Sequence, residues 1–421
     1  MYEPYRIKVV EPLLHTTRRQ RKRILKRVGY NPFGIPAEFV TIDLISDSGT
    51  GAMTSSQWAA MFQAREDFAG QTSHEDFVTK ARSITGFPHV LPVHQGRAAE
   101  NILFKTLLEP GDTVAANTHF ETTRGNIESI GCRAIDLPSD EPPFLGNVDV
   151  GAFEKLNRGR SKVKILVMTL TNNIKGGQPV SMENIDDAKI AARRSGTLLV
   201  FDASRFTDNA YLIKEYTKSR NSIGQICRRM FRAADILYLS SKKTGLSNIG
   251  GLICVRTKDL YDRLSQEIIR QEAYPTSGGL AARDVAAMAT GLVDSMEEDL
   301  LRAHIGQVRS LAYALKQNGV EVFEPVGGHA VVIVQKAPDR HAAFALAAAI
   351  YLESGIRVGV FDDTVRLAVP RRVYTDKHLA YTAQTVSRVY HKDLPHLRLV
   401  HKPSEFYNFF ARFTEIAQRK V

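Results

Sequence analysis

Two adjacent lysines, Lys242 and Lys243, follow the short apolar segment "DILYLSS" and precede a glycine-containing loop. Such a segment is typical of a buried strand, and ligands of open α/β sheets bind beyond the carboxyl ends of the strands. On an exposed surface the pair would need no functional explanation. At the end of a buried strand, a neighbouring cation favours the neutral, nucleophilic form of an amine. We therefore expect Lys243 to be the reactive amine and Lys242 its activating neighbour.

Other predicted strand ends carry residues that suit an anionic, aromatic ligand. Gln95, Gly96 and Arg97 follow "HVLPVH" and open a helix, whose N-terminal amides and dipole attract a phosphate. Asp202 ends the segment "TLLVFDAS", where an aspartate is costly to bury unless it meets a cation. Phe120 follows a further strand and offers a face on which a ring stacks. These residue types together indicate one binding site at the edge of a sheet.

A phosphate site, a buried acid and a strand-end lysine predict pyridoxal phosphate as the cofactor. The acid would keep the pyridine nitrogen protonated, so that the ring withdraws electrons, and the lysine would form the Schiff base. Each residue alone is better explained as ordinary structure, and Phe120 by itself would be a core side chain. Their occurrence at successive strand ends favours the site.

The elements that must position these residues alternate along the chain. Near-continuous apolar strands are separated by helix-like segments such as "GRAAENILFKTLL", which predicts an α/β domain with a mainly parallel sheet. From about Ala282 the pattern changes and indicates a smaller α+β domain in the C-terminal third. It consists of a helical stretch ending at Gly319, the strand candidate "VEVFEPVGGHAVVIV", the helix "HAAFALAAAIYLESG", the strand "TVRLAVP" and a helical tail.

The composition is ordinary for a globular protein, with 421 residues, 43% of them hydrophobic and 24% charged. Three scattered cysteines read as core residues of a reducing compartment. The opening segment lacks the apolar region of a signal peptide and no apolar run is long enough to span a membrane, so we expect a cytoplasmic protein with no membrane partner.

The net charge of +11 comes in large part from "RRQRKRILKR", Arg18 to Arg27. One interpretation is a basic arm that binds nucleic acid. The other is a solvated helix whose Ile24 and Leu25 face inward. Because no aromatic platform or nucleic-acid motif accompanies the run, we favour the second interpretation and expect no nucleic-acid partner.

At this point the sequence resembles the tryptophanase and tyrosine phenol-lyase family, within the fold type I pyridoxal-phosphate enzymes. The resemblance covers nearly the whole chain, and its most specific motifs are "HQGRAAEN", "NIKGGQPVSM", "FDASRFTDNAYLIKE", "SSKKTGLSNIGG", "EPVGGHAV" and "TVRLAVPRRVYT". It implies an aspartate aminotransferase-like large domain at residues 46–295, a small domain at 296–421 and an N-terminal arm, residues 1–45, that packs on the small domain. It also implies a homotetramer, a dimer of dimers that share active sites.

The resemblance implies a role for each matching residue. Lys243 would hold the cofactor and move the α-proton of an amino acid, while Arg366, with Ser46 and Asn173, would bind the substrate carboxylate. A monovalent cation such as potassium would bind Glu66 and the backbone carbonyls of Gly49 and Asn248. The implied cofactor-binding residues are Gln95, Gly96, Arg97 and Ser240 at the phosphate, Phe120 on the ring, Asp202 at the pyridine nitrogen, and Asn173 and Arg205 at the phenolic oxygen.

Four departures from the family affect the leaving-group pocket. Phe68 stands where the family has a catalytic tyrosine, and phenylalanine has no proton to give. Glu121 follows the stacking phenylalanine and is an acid, as in tryptophanase, where tyrosine phenol-lyases have threonine. We favour a pocket residue that prefers substrate side chains with N–H groups or positive charge, and not a merely solvated loop acid. Asn408 replaces a histidine or phenylalanine. The segment "GIRVGVFDDTVRL" lacks a stretch of the family sequence, with Phe361 nearest to the missing phenol-binding arginine.

Three functions are compatible with these residues. The first is a lyase that removes a side-chain substituent of an L-amino acid, most simply giving pyruvate and ammonia, and that does not cleave ordinary tyrosine or tryptophan. The second keeps the cofactor and changes the reaction to γ-elimination, replacement, cyclisation or transamination, with a place in specialised metabolism. The third is a regulatory or nucleic-acid protein that has lost catalysis, which the persistence of Asp202, Lys243 and Arg366 disfavours.

Overall fold

The computed structural model describes residues 3–159, 162–173, 175–334 and 340–416. The chain forms two compact units. The large unit is Ser48–Arg302, and the small unit combines Met1–Asp47 with Ala303–Val421. The domain bounds given above stay a prediction, and residues 417–421 at the end of the last domain lie outside the described residues.

Helices and strands alternate through the middle of the chain as predicted. The strands are β1 (Ile42–Leu44), β2 (His89–Val93), β3 (Thr113–Ala116), β4 (Arg133–Asp136), β5 (Val163–Thr169), β6 (Leu198–Asp202), β7 (Ile236–Ser240), β8 (Gly251–Val255), β9 (Ala330–Ile333), β10 (Ile356–Phe361), β11 (Thr364–Ala368), β12 (Leu397–His401) and β13 (Arg412–Glu415). The helices are α1 (Arg18–Arg27), α2 (Ser55–Gln63), α3 (Thr72–Thr85), α4 (Gly96–Leu107), α5 (Glu121–Glu128), α6 (Val150–Asn157), α7 (Met182–Ser195), α8 (Phe206–Thr217), α9 (Ile223–Phe231), α10 (Lys258–Gln271), α11 (Ala282–Asp294), α12 (Glu298–Gln317), α13 (Arg340–Ser354), α14 (Asp376–Tyr390) and α15 (Tyr407–Phe410).

The large unit contains a seven-stranded sheet in the order β2-β8-β7-β6-β5-β3-β4. All neighbouring pairs are parallel except those of β8, which runs antiparallel to both β2 and β7. The predicted fold class, an α/β unit with a mainly parallel sheet, is confirmed. Strands β4 and β8 were not predicted: β4 is at most half-buried and lacks the apolar run of a central strand, and β8 follows its neighbour through a loop without an intervening helix.

The parallel strands are buried on both faces, which explains their near-continuous apolar sequences. Every residue of β7 is buried, and Ile236 and Tyr238 share one face with Ile165 and Val167 of β5. Residues of α4, including Ile102, pack on that face. Because the sheet is covered on both sides, polar side chains of the strands come together where the strands end.

The small unit has a four-stranded sheet in the order β1-β10-β11-β9 and a separate β12-β13 hairpin. Helix α13 and strand β11 confirm the predicted helix and strand of this region, and the strand candidate before them is reduced to β9. The expected helical tail is wrong beyond α14, because the chain then forms the hairpin, whose strand β12 is largely exposed.

Helix α1 is a solvated helix with an apolar side, as favoured above. Thr17 caps it in a reciprocal arrangement with Gln20, while Ile24 and Leu25 are buried. The three cysteines are buried and free, as predicted. Among the described residues, none of the helices combines the length and the apolar character that crossing a bilayer requires.

Candidate active site

The carboxyl end of β6 and that of β7 are joined through one serine hydroxyl. The backbone N–H of Ser204 donates to Oδ1 of Asp202 over 3.0 Å, and its hydroxyl donates to the same oxygen over 2.6 Å. The Ser240 amide in turn donates to the Ser204 hydroxyl over 3.0 Å. Asp202 is only 8% exposed, so these donors stabilise a carboxylate that has left water. Sequence reasoning passed over Ser204, although its place directly after the strand was visible.

The two lysines lie in the loop after β7, and both are half-buried. The next residue, Thr244, donates its hydroxyl to the Ser204 carbonyl over 3.1 Å, which fixes the start of this loop against the end of β6. Burial, and secondly the positive charge of Arg97, lower the pKa of Lys242. The structure thus brings together the lysine loop, the phosphate-site arginine and the strand that carries Asp202.

The glycine of the predicted phosphate site is required by close packing. A Cβ on Gly96 would lie 2.7 Å from Cβ of Ser240, closer than non-bonded carbon atoms approach each other. Gln95, the residue before α4, forms an isolated parallel β-bridge with Gly250, the residue before β8. The N-terminal turn of α4 therefore lies against the end of β7, and amides of such a turn are suited to bind an anion. Arg97 is exposed beside it.

Asn173 and Arg205 lie on two loops that one buried residue, Asn209 of α8, holds in place. Oδ1 of Asn209 accepts the Thr171 amide over 3.2 Å and the Val180 amide over 2.8 Å, while its Nδ2 donates to the Val180 carbonyl over 3.0 Å. The Thr171 hydroxyl donates to the Arg205 carbonyl over 2.7 Å.

These bonds keep Thr171 at φ +66°, a strained conformation for a β-branched residue. Sequence reasoning missed Asn209, because an asparagine within a helix carries no positional signal.

Phe120 and Glu121 stand at the beginning of α5, and both are half-buried. The loop before them is anchored by Asn117, whose side chain pairs with the backbone of Thr169 through two hydrogen bonds of 3.0 Å. Nδ1 of His119 lies 2.7 Å from Oδ1 of Asp136. Burial alone would raise the pKa of Asp136, but the hydrogen bonds from His119 and the charge of Arg124 lower it.

A buried carboxyl that the sequence reasoning did not use, Glu100, lies on α4 behind the predicted site. It is 6% exposed, and its Oε1 accepts hydroxyl hydrogen bonds from Thr123 over 2.7 Å and Tyr238 over 3.3 Å. Burial, and secondly the negative charge of Asp202, raise its pKa to about 7, against the influence of Thr123, Lys243 and Tyr238. The pKa of Glu100 thus depends on the charges of both Asp202 and Lys243.

Phe68 differs from the strand-end residues described above in its exposure and its contacts. Its side chain is 79% exposed, and its ring centroid lies 6.0 Å from that of Tyr274. The loop that carries it is held by Gly70, whose amide donates to the Thr276 hydroxyl over 3.2 Å. Within a single chain, the described contacts of Phe68 do not include the residues at the strand ends.

The predicted cation ligands fall into two places. Nδ2 of Asn248 donates to the Gly49 carbonyl over 3.1 Å, and the Gly49 amide donates to the Lys242 carbonyl over 2.6 Å. Glu66 instead accepts the amides of Ala282 and Arg283, which open α11. Among the described residues, no three His, Cys, Asp or Glu side chains are grouped to hold a metal ion.

Three of the residues predicted to bind substrate, Ser46, Arg366 and Asn408, belong to the small unit, whereas Glu121 belongs to the large unit. Arg366 is 3% exposed on β11, and its guanidinium carbon lies 3.9 Å from the ring centroid of Phe361. The hairpin from β10 to β11 turns through Asp362 and Asp363 alone, in the segment where the family sequence is longer. Asn408 is buried, with its carbonyl accepting from Nδ2 of Asn31 over 3.2 Å.

Comparison with known proteins agrees with this geometry. Residues 43–385 match the family model described as beta-eliminating lyase. A tryptophanase of Hyphomonas neptunium is 40% identical over 98% of this chain and 99% of its own. A tyrosine phenol-lyase of Pasteurella multocida is 38% identical over 98% of both chains. The solved structure of Leishmania major threonine aldolase has the same fold, with a TM-score of 0.63 at 15% identity over 83% of this chain and 99% of that one.

The protein belongs to the beta-eliminating lyase family, and it is a pyridoxal-phosphate-dependent lyase of the fold type I class. The site fits this cofactor on two observations. The carboxylate of Asp202 is buried and supported by Ser204, and Gly96 lets the first turn of α4 lie directly against Ser240 at the end of β7, which brings the two predicted phosphate-binding segments together.

Proposed function

We propose that the protein eliminates a side-chain substituent from an L-amino acid, and that its leaving group departs through a heteroatom such as sulfur. One observation carries the proposal: Phe68 replaces the tyrosine of the family, while the residues suited to the cofactor are retained at the strand ends. A leaving group that departs as a thiolate needs no proton on carbon, so that the missing hydroxyl does not block the reaction. Pyruvate and ammonia are then the simplest products.

Pyridoxal phosphate, when bound, supplies an electron sink that stabilises negative charge at the α-carbon. Gln95, Gly96 and Arg97, with Ser240, hold the phosphate through amides, the helix dipole and a cation. Asp202, supported by Ser204, keeps a proton on the pyridine nitrogen, which strengthens electron withdrawal.

Other residues act on the substrate and on the ring. Lys243 anchors the cofactor and then takes the α-proton as a base. Phe120 stacks on the ring, and Asn173 and Arg205 hold its phenolic oxygen. Arg366, with Ser46 and Asn173, binds the substrate carboxylate, for which a guanidinium held over the Phe361 ring has a fixed direction.

Two residues shape the leaving-group pocket. Glu121 stands directly after the stacking Phe120, at the start of a helix, where its carboxylate can accept N–H groups or a positive charge on the leaving group. Asn408 places an amide where relatives have a ring. Glu121 favours a substituent with N–H groups over phenol, and Asn408 favours a polar substituent over phenol or indole.

A homotetramer and a potassium site belong to the same proposal. Trp58, Phe62 and Phe68 are 46%, 87% and 79% exposed and lie on α2 and the loop after it, which supports a second copy covering this surface. The Asn248 side chain donates a hydrogen bond to the Gly49 carbonyl, and this proximity supports a cation site that both residues share. Glu66 completes that site across the interface.

The experiment is a panel of amino acids assayed for both pyruvate and ammonia. We expect turnover with S-substituted cysteines and none with tyrosine or tryptophan. The matched variant is Phe68→Tyr, which restores the hydroxyl and changes little else. If the unmodified protein cleaves tyrosine or tryptophan as well as it cleaves the cysteine derivatives, the proposed leaving group is wrong. A keto acid other than pyruvate, without ammonia, would instead indicate transamination.

A further inference from the structure

Glu100 connects three elements that carry the active site. It lies on α4, whose first turn is the phosphate site, and Oε1 accepts the Thr123 hydroxyl of α5, the helix that begins after Phe120. The same oxygen accepts the Tyr238 hydroxyl of β7, the strand that leads to the lysines. Nδ2 of Asn126 donates to Oε2 over 3.3 Å. A carboxyl buried with only neutral donors close by is costly to keep charged.

The charged groups around Glu100 determine when its carboxyl binds a proton. Asp202, on β6, is paired in register with Tyr238 and contributes a second buried negative charge. Lys243, after β7, contributes the positive charge that offsets it. Tyr238 stays protonated, since burial and then the charges of Asp202 and Glu100 hold its pKa well above 10.0. From α5 come only Thr123 and Asn126, which are neutral.

We propose that Glu100 is a positioning residue that takes up a proton when Lys243 loses its positive charge, so that the buried negative charge is left on Asp202. While Lys243 is an ammonium, two carboxylates face one cation. When the lysine nitrogen becomes neutral, the pyridinium of the bound cofactor would offset the charge of Asp202, and a charged Glu100 would be left without a cation. One proton released at Lys243 is balanced by one proton bound at Glu100. The carboxylate that remains is the one supported by Ser204.

The raised pKa of Glu100, about 7, supports this exchange, because it places the carboxyl close to its midpoint at neutral pH. A loss of the Lys243 charge removes an influence that lowers this pKa and so shifts Glu100 toward its neutral form. The inference needs the cofactor and its lysine, and does not depend on which leaving group the enzyme expels.

The test is infrared difference spectroscopy of the protein before and after loading with pyridoxal phosphate at neutral pH. We expect loading to increase the carbonyl band of a protonated carboxylic acid by up to about half a group per chain, the fraction of Glu100 that is charged at its midpoint. Glu100→Gln, which keeps the shape and an acceptor, should remove this increase. Glu128→Gln, a change at an exposed carboxylate on the neighbouring helix, should retain it. An equal increase in Glu100→Gln, or no increase in the unmodified protein, overturns the proposal.

A second measurement does not require loading of the protein with pyridoxal phosphate. In the apoprotein the same band should titrate near neutral pH, and Thr123→Val should move its midpoint upward, because the hydroxyl that stabilises the carboxylate is gone. An unchanged midpoint contradicts the assignment to Glu100. Since this measurement uses no amino acid substrate, its outcome is independent of the lyase reaction.

Discussion

The Ser204 hydroxyl donates to Oδ1 of Asp202 over 2.6 Å, and on its other side it accepts the amide of Ser240. One side chain thus orients the acid of the site and fixes the distance between two neighbouring strand ends. The carboxylate is buried, so that a lost donor is not replaced by water.

Ser204→Ala is expected to weaken binding of pyridoxal phosphate by about tenfold to a hundredfold, as hydrogen bonds to charged groups are worth about 1.5–3 kcal/mol. Equilibrium titration of the apoprotein with the cofactor measures this. Ser195→Ala provides the control, because Ser195 ends α7 and its hydroxyl lies 2.8 Å from the Thr197 hydroxyl, just before β6 and at the opposite end of that strand. Equal affinities in all three proteins would exclude a role for Ser204.

Gly96→Ala is expected to displace the start of α4 from the end of β7, because the new Cβ would lie 2.7 Å from Ser240 Cβ. Overpacking of this kind costs about 1–3 kcal/mol, which should appear as a lower melting temperature and weaker phosphate binding. The matched change is Gly306→Ala in α12, where nothing lies within 4 Å of the new atom. That variant should melt at or above the temperature of the unmodified protein.

Asn209→Ala removes the side chain that joins Thr171 to Val180. Three hydrogen bonds to backbone groups are lost and two backbone amides are left buried without this partner, so we expect a destabilisation of about 2–4 kcal/mol. Urea unfolding measures the loss. Asn157→Ala, whose side chain also contacts backbone groups but is only half-buried, should cost less. A larger loss at Asn157 would contradict the central position given to Asn209.

The raised pKa of Glu100 makes the stability of the apoprotein depend on pH. The folded protein keeps a proton that the unfolded chain releases above about pH 4.5, so that this contribution is full below that pH and is lost as the pH rises through about 7. A shift of this size corresponds to roughly 3 kcal/mol. The stability of Glu100→Gln relative to the unmodified protein should therefore increase as the pH rises from 4.5 to about 7, the interval that the two pKa values bracket. A constant difference across urea titrations at these pH values would show that Glu100 does not titrate there.

The residues at the strand ends were predictable because each lies directly after an apolar strand. Asp202 and Lys243 are 41 positions apart in the sequence, yet both follow strands of one parallel sheet, whose carboxyl ends lie along one edge. The family resemblance rested on the same motifs. Fold class, cofactor and lyase class could therefore be read from local patterns and their order.

Tertiary structure alone identified Ser204, Asn209 and Glu100 as partners of the site. Their importance lies in hydrogen bonds to groups distant in sequence, such as Ser240, Val180 and Tyr238, and no local pattern specifies which distant donor a side chain meets. The sequence by itself determined which groups stand at the strand ends. Folding decided which distant donors and charges each buried acid meets, because desolvation depends on what the packed neighbours provide.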